Sequence, residues 1–168
     1  MLRIRQAGIA LALAAFVVGP SLAQAASPNT VTGGGWFLFG GSIPMQFSFS
    51  GVRRTDGTAT GTFHHFYTDG VSTYEMWGDV TCLAFDTANG RAWIGGVLTK
   101  VRTTDPEFPY KAGDDAWFRV LDSPAGDRST AMGFVGVIPS SAEYCRLMIW
   151  PDGNARTHPV TSGAITVR

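Results

Sequence analysis

The chain has 168 residues, 45% of them hydrophobic, with 13 basic side chains against 13 acidic ones and two cysteines. That length accommodates one domain with a substantial core. The balanced charge offers no basic excess to hold a phosphate backbone, which excludes nucleic acid as an expected partner.

Residues 1–25 read as a secretory signal peptide. Arg3 and Arg5 form a basic start, an apolar run follows, Gly19 and Pro20 break it, and Ala23-Gln24-Ala25 is a small-x-small cleavage site. The apolar run covers residues 7–18, short of the ~20 residues that a spanning helix needs. Residues 26–168 then form a single secreted β domain, periplasmic or extracellular, with no second apolar segment long enough to cross a bilayer. Arg3 and Arg5 leave with the leader, so 11 basic side chains face 13 acidic ones in what remains.

Many glycines, threonines and aromatics with few helix formers point to an all-β fold. A first strand is expected over 31–39, where three consecutive glycines suit a close approach by another backbone or a bulky side chain. Phe47 and Phe49 alternate with Gln46, Ser48 and Ser50, a period of two with one face buried. Asp56-Gly57 marks a turn, 58–67 the next strand, and Asp69-Gly70 its end. Residues 73–85 make a long strand with a bulge or bend near Gly78. Asn89-Gly90 predicts a two-residue primed hairpin turn that returns 91–101 alongside. Later strands are expected over 116–121, 131–138, 145–150 and 164–168, about nine in all, with no helix. Residues 105–115 form the longest irregular connection. The expected architecture is an antiparallel β-barrel or strongly curved β-sandwich of about eight to ten strands. Cys82 and Cys145, an even count in an exported chain, predict one disulfide, with two buried thiols as the alternative.

The stretches TGGGW, VTCL running through a short turn into GRAWIGG, VLDSPAGDR and the terminal SGAITVR occur in this order. Together they resemble a family of small secreted bacterial all-β proteins. The resemblance implies fold and export; it implies no catalytic residue. Where that family tends to have Asp-Asn-Gly-Glu, this chain has Asp122-Ser123-Pro124-Ala125.

The candidate chemistry is sparse. Adjacent strand residues face opposite ways, so one of His64 and His65 is expected inside and the other outside, and the two cannot chelate one ion. Glu75, Trp77 and Asp79 share a strand face, but four extended residues hold the acids about 13 Å apart. Glycosidase pairs sit at about 5.5 Å or 6.5–9.5 Å. Asp105, Glu107, Asp114 and Asp115 crowd the longest loop and are the calcium candidates, for a structural ion, with Asp122 and Asp127 in the next turn. No other metal and no organic cofactor is expected. Trp77 and Trp93 are the binding candidates. Trp93 alternates with Ala92 and Ile94, so an inward Ile94 sends Trp93 outward as an exposed anchor. The expectation is a non-enzymatic exported barrel that binds a small molecule, a glycan or a protein, or serves a structural role. One alternative is a lipocalin-like barrel enzyme, an isomerase, cyclase or hydrolase of a small apolar molecule, with His64, His65, Tyr67 and Glu75 as suspects. The other is a protein-interaction module presenting Trp93.

Overall fold

The computed structural model describes residues 29–168, apart from 135 and 137. The proposed leader lies outside the described residues. Nine antiparallel strands form one sheet: β1 (Asn29–Phe39), β2 (Ile43–Arg53), β3 (Ala59–Thr68), β4 (Thr73–Asp86), β5 (Arg91–Thr103), β6 (Asp115–Leu121), β7 (Arg128–Ser129), β8 (Gly133–Phe134) and β9 (His158–Val167). Their order is β5-β4-β3-β2-β1-β9-β7-β6-β8, and a β5–β6 pairing closes eight of them into a ring. The expected all-β barrel is therefore present.

The period-two pattern explains the ring interior. Met45, Phe47 and Phe49 of β2, Phe63 and His65 of β3, Met76 of β4, Ile94 of β5 and Phe118 of β6 are all buried. Phe118 sits at the centre, its ring 5.3 Å from that of Phe49 and 4.9 Å from that of His65. The glycine-rich start of β1 has the expected reason. A Cβ on Gly33 would lie 2.5 Å from the Phe49 ring, so the bare backbone makes room for an aromatic of the next strand. β4 is irregular beside β5 at Trp77/Gly78, as the glycine there suggested.

Four expectations are corrected. Among the described residues of 131–138 only Gly133–Phe134, β8, is strand, and β7 is a second two-residue fragment just before them. Residues 145–150 are not a strand either, since Ser141–Leu147 forms the helix α1. Its buried residues Ser141, Tyr144 and Cys145 lie at helical spacing, and Ser140 caps it by accepting from the Glu143 backbone N–H at 3.2 Å. Ser140-x-x-Glu143 is a helix-start signal in its own right, masked by the apolar run behind it. The β4–β5 hairpin is not a two-residue turn: Thr87–Asn89 makes one 3-10 turn and only Gly90 takes positive φ, at 64°. The disulfide therefore joins a strand to a helix. The Cys82 and Cys145 sulfurs lie 2.03 Å apart, a disulfide distance, with Cα atoms 6.2 Å apart.

α1 lies on the outer face of β4, β5 and β6. Gly95 permits this, because a Cβ there would meet the Cys82 sulfur at 2.6 Å and the Ser141 Cβ at 2.9 Å. Trp93 does point away from the barrel interior, as its alternation with Ile94 requires. It is nevertheless only 2% exposed, since α1 and the chain after it roof it over. Its indole N–H donates to the Ile149 carbonyl at 2.9 Å, and its ring meets Trp150 edge-on at 5.7 Å. The exposed-anchor expectation for Trp93 is thus overturned by a second layer that alternation along β5 does not reveal.

Candidate functional site

The sequence candidates divide between the two sides of the barrel wall. His65 is inside and fully buried, and neither ring nitrogen has a partner. Burial, and then the neighbouring His64, push its pKa down to about 3, so the ring is neutral at ordinary pH. Tyr67 faces the same way, stacked on Tyr74 with ring centres 4.5 Å apart, and burial above all raises its pKa to about 12. His64 and Glu75 are outside, paired at 3.2 Å. The four suspects for a barrel enzyme do not converge on one point.

Trp77 also lies on the outer face, as its alternation with Met76 required. His64, from β3, stacks on it with ring centres 4.9 Å apart. Lys100 and Arg102, from β5 on the other side, hold their charges 4.7 and 5.5 Å from the ring centre. Trp77 is therefore flanked by His64 from β3 and by two cationic side chains from β5.

The calcium candidates do not gather. Asp105 accepts from the Tyr74 hydroxyl at 3.0 Å and from the Glu107 backbone N–H at 2.9 Å. Asp114 accepts from the Lys111 backbone N–H, Asp115 accepts from the Ser141 hydroxyl at the start of α1, and Glu107 is exposed. Among the described residues no three acidic, histidine or cysteine side chains converge as a metal site. Asp122 and Asp127 have a different task. Their carboxylates accept from the backbone N–H groups of Val167 and Ile165, at 3.0 and 2.7 Å, and so stitch β9 to the chain on either side of the turn.

The arrangement with chemical content lies elsewhere. A cavity of about 500 Å³ opens on the outer face of β6, where the interrupted wall meets α1. Trp117 and Arg119 reach it because they alternate with inward Phe118. Residues 130–133 form one side, Ile138 and Tyr144 the roof, and Phe39 and His158 the far end. Arg119 is 7% exposed. Its Nη2 donates to the Ala155 carbonyl at 2.8 Å, its charge lies 5.3 Å from the Trp150 ring, and its Nε has no partner. Among the described residues no carboxylate lines the cavity. Arg119 is absent from the ion pairs found among the described residues. Burial raises the Tyr144 pKa to about 12 against the opposing pull of Arg119, so the phenol keeps its proton as a donor. Partial burial, and then Arg128, lower that of His158, which stacks on Phe37 at 5.3 Å. Arg156, also on the lining, holds a left-handed φ of 63°, uncommon for a residue other than glycine and one that the surrounding loop must impose. Met148, Asn154 and Arg156, the non-glycine residues with positive φ among the described residues, all fall in the segment that follows α1.

Composition and alternation did not single out this site. Arg119 is one arginine in an apolar strand, and only such a lone charge among Ala116–Val120 could have flagged it. No protein-family model, curated protein or solved structure matches this chain.

Proposed function

We propose that this chain is an exported, non-enzymatic binding domain for a small organic anion with an apolar body, held in the cavity over β6. The observation that carries this reading is the Arg119 guanidinium, buried with an unpaired Nε and no counter-charge. An uncompensated buried charge is costly, and a single cation–π contact offsets only part of that cost. A carboxylate entering the cavity meets Arg119, the Tyr144 hydroxyl and, at the rim, Arg156, while Trp117, Met132 and Ile138 supply apolar surface. A cavity of about 500 Å³ is in the range of small-molecule sites. The disulfide-distance cysteine pair suits an oxidising compartment and supports export. His65 is sealed in the core with both ring nitrogens unpartnered, which favours binding over catalysis.

The test is titration of the disulfide-intact protein with short aromatic and aliphatic carboxylates, followed by calorimetry and by tryptophan fluorescence. Binding in the micromolar to millimolar range is expected. Arg119→Gln should weaken it by roughly tenfold to a hundredfold, the worth of a charge-assisted hydrogen bond. Equal affinity in Arg119→Gln, or no binding of any carboxylate, overturns the reading and leaves Arg119 as a structural cap for Ala155.

A further inference from the structure

A second cavity, of about 290 Å³, lies at the mouth of the barrel. Its walls are Ile43 and Met45 of β2, Tyr67 of β3, Met76 of β4 and Phe134 of β8. It shares Phe39, Ala131 and Met132 with the cavity that contains Arg119. Those three residues are all that the two linings have in common; Phe39 ends β1 opposite Ile43, while Ala131 and Met132 stand where the barrel wall is not a paired strand. β7 ends at Ser129 and β8 begins at Gly133, so Ala131 and Met132 lie outside the ladder. The Thr130 backbone N–H still donates to the Arg119 carbonyl, at 3.1 Å, which ties one end of the gap to β6. Methionine is unbranched and adapts its rotamer easily, so Met132 suits a partition that gives way.

The polarity of the two spaces differs in a directed way. Arg119, Arg156 and His158 belong to the outer cavity alone. The mouth is dominated by Met45, Met76, Ile43 and Phe134, and its one carboxylate, Asp69, is engaged by the Val71 and Ser72 backbone N–H groups at 2.9 and 2.8 Å. A molecule with a negative head and an extended apolar tail matches both at once.

We infer that the ligand is a straight-chain carboxylate amphiphile, with its head on Arg119 and its hydrocarbon tail crossing at Ala131–Met132 into the methionine-lined barrel mouth. The inference rests on the anion-binding reading of the Arg119 cavity and adds the tail and its path. A short carboxylate occupies the outer cavity only. A longer one also fills the mouth, and every methylene added there leaves water for an apolar wall.

The experiment is a homologous series of saturated straight-chain carboxylates, from four to sixteen carbons, titrated into the disulfide-intact protein below their micelle concentrations. Once the chain is long enough to reach the gap, affinity should rise roughly threefold to fourfold per added methylene until the mouth is full. Ile43→Trp fills the mouth without touching the outer cavity. It should abolish that rise and leave the short acids bound as before. A measurement without substitution guards against a misfolded variant: a long-chain acid carrying a nitroxide near its end should broaden the Met45 and Met76 methyl signals and spare Met148. Arg119-dependent binding with no dependence on chain length overturns the tail path and leaves the anion site standing. A length dependence unaffected by Ile43→Trp, with Met45 and Met76 unbroadened, also overturns it. Failure of every acid, short and long, removes both readings.

Discussion

The two halves of this barrel are built by different means. β1 to β5 form a meander in which each strand pairs with the next over most of its length, from Asn29↔Arg53 to Phe39↔Ile43 in the first pair and from Arg53↔Ala59 to Met45↔Tyr67 in the second. The half from β6 to β9 touches in fragments. β7 meets β9 through two residue pairs, Arg128↔Pro159 and Ser129↔His158, and side-chain carboxylates replace part of the ladder. The meander is closed by local hairpins and has its polar groups paired by backbone. The other half is closed by residues far apart in sequence; it holds the wall gap, the helix and most of the Arg119 cavity, and the disulfide ties its helix to β4 of the meander. Irregular backbone is where a barrel can leave room beside its wall, so the candidate site falls there.

The comparison breaks most severely at the disulfide. Replacing Cys82 and Cys145 together by alanine opens a loop spanning 63 residues and is expected to cost about 4 kcal/mol. Chemical denaturation gives the size, and amide exchange gives the location. Protection should fall first in α1 and β6, while β2 and β3 keep theirs. Uniform loss across the barrel would show that the two halves unfold as one.

Acid should strike the meander instead, through His65. Its folded pKa of about 3 lies below the ordinary 6.5. Above pH 6.5 the ring is neutral folded and unfolded, and it contributes no slope. Below that the unfolded chain takes up a proton that the folded core refuses, so stability falls steadily towards pH 3, by several kcal/mol in all. His65→Phe should remove that slope in urea midpoints measured between pH 7 and pH 4. An unchanged slope would place the acid sensitivity elsewhere.

A smaller and more local effect is expected at the seam. Asp127→Ala strands the Ile165 backbone N–H, which now donates to its carboxylate at 2.7 Å, and should cost about 1–3 kcal/mol. Asp127→Asn keeps an acceptor oxygen and should recover most of this. If both substitutions cost the same, charge rather than hydrogen bonding holds the seam. The smallest effect belongs to the outside of the meander. Glu75→Gln breaks the half-exposed pair with His64 and should change stability by less than about 1 kcal/mol.

Much of the meander was legible before any coordinates. The alternation of Phe47 and Phe49 with serines marks an inward face, and Asp56-Gly57 and Asp69-Gly70 mark turns where Gly57 and Gly70 take φ of 87° and 90°. The opposite facing of His64 and His65 follows from strand geometry alone. The candidate site was far less legible. Tyr144 falls just outside the strand expected over 145–150, an expectation that follows the apolar run there and misses the cap at Ser140. Arg119 drew no attention, because its significance lies in having no counter-charge nearby, a property of space rather than of order along the chain. Trp93 points away from Ile94, as alternation requires, yet is buried beneath α1 and the chain after it.

By itself, then, the sequence determined an all-β chain, the turns at Asp56-Gly57 and Asp69-Gly70, the alternate facing of residues such as Phe47, Phe49, His64 and His65, and the cysteine pair. These are properties of neighbours a few residues apart, where a period of two and a turn residue suffice. Tertiary structure alone decided what covers the second face. Ile149 reaches Trp93 across 56 positions, and Asp122 reaches Val167 across 45. Contacts of that span leave no periodic trace, because the side chains that meet are chosen by how the ring closes and not by the residues beside them.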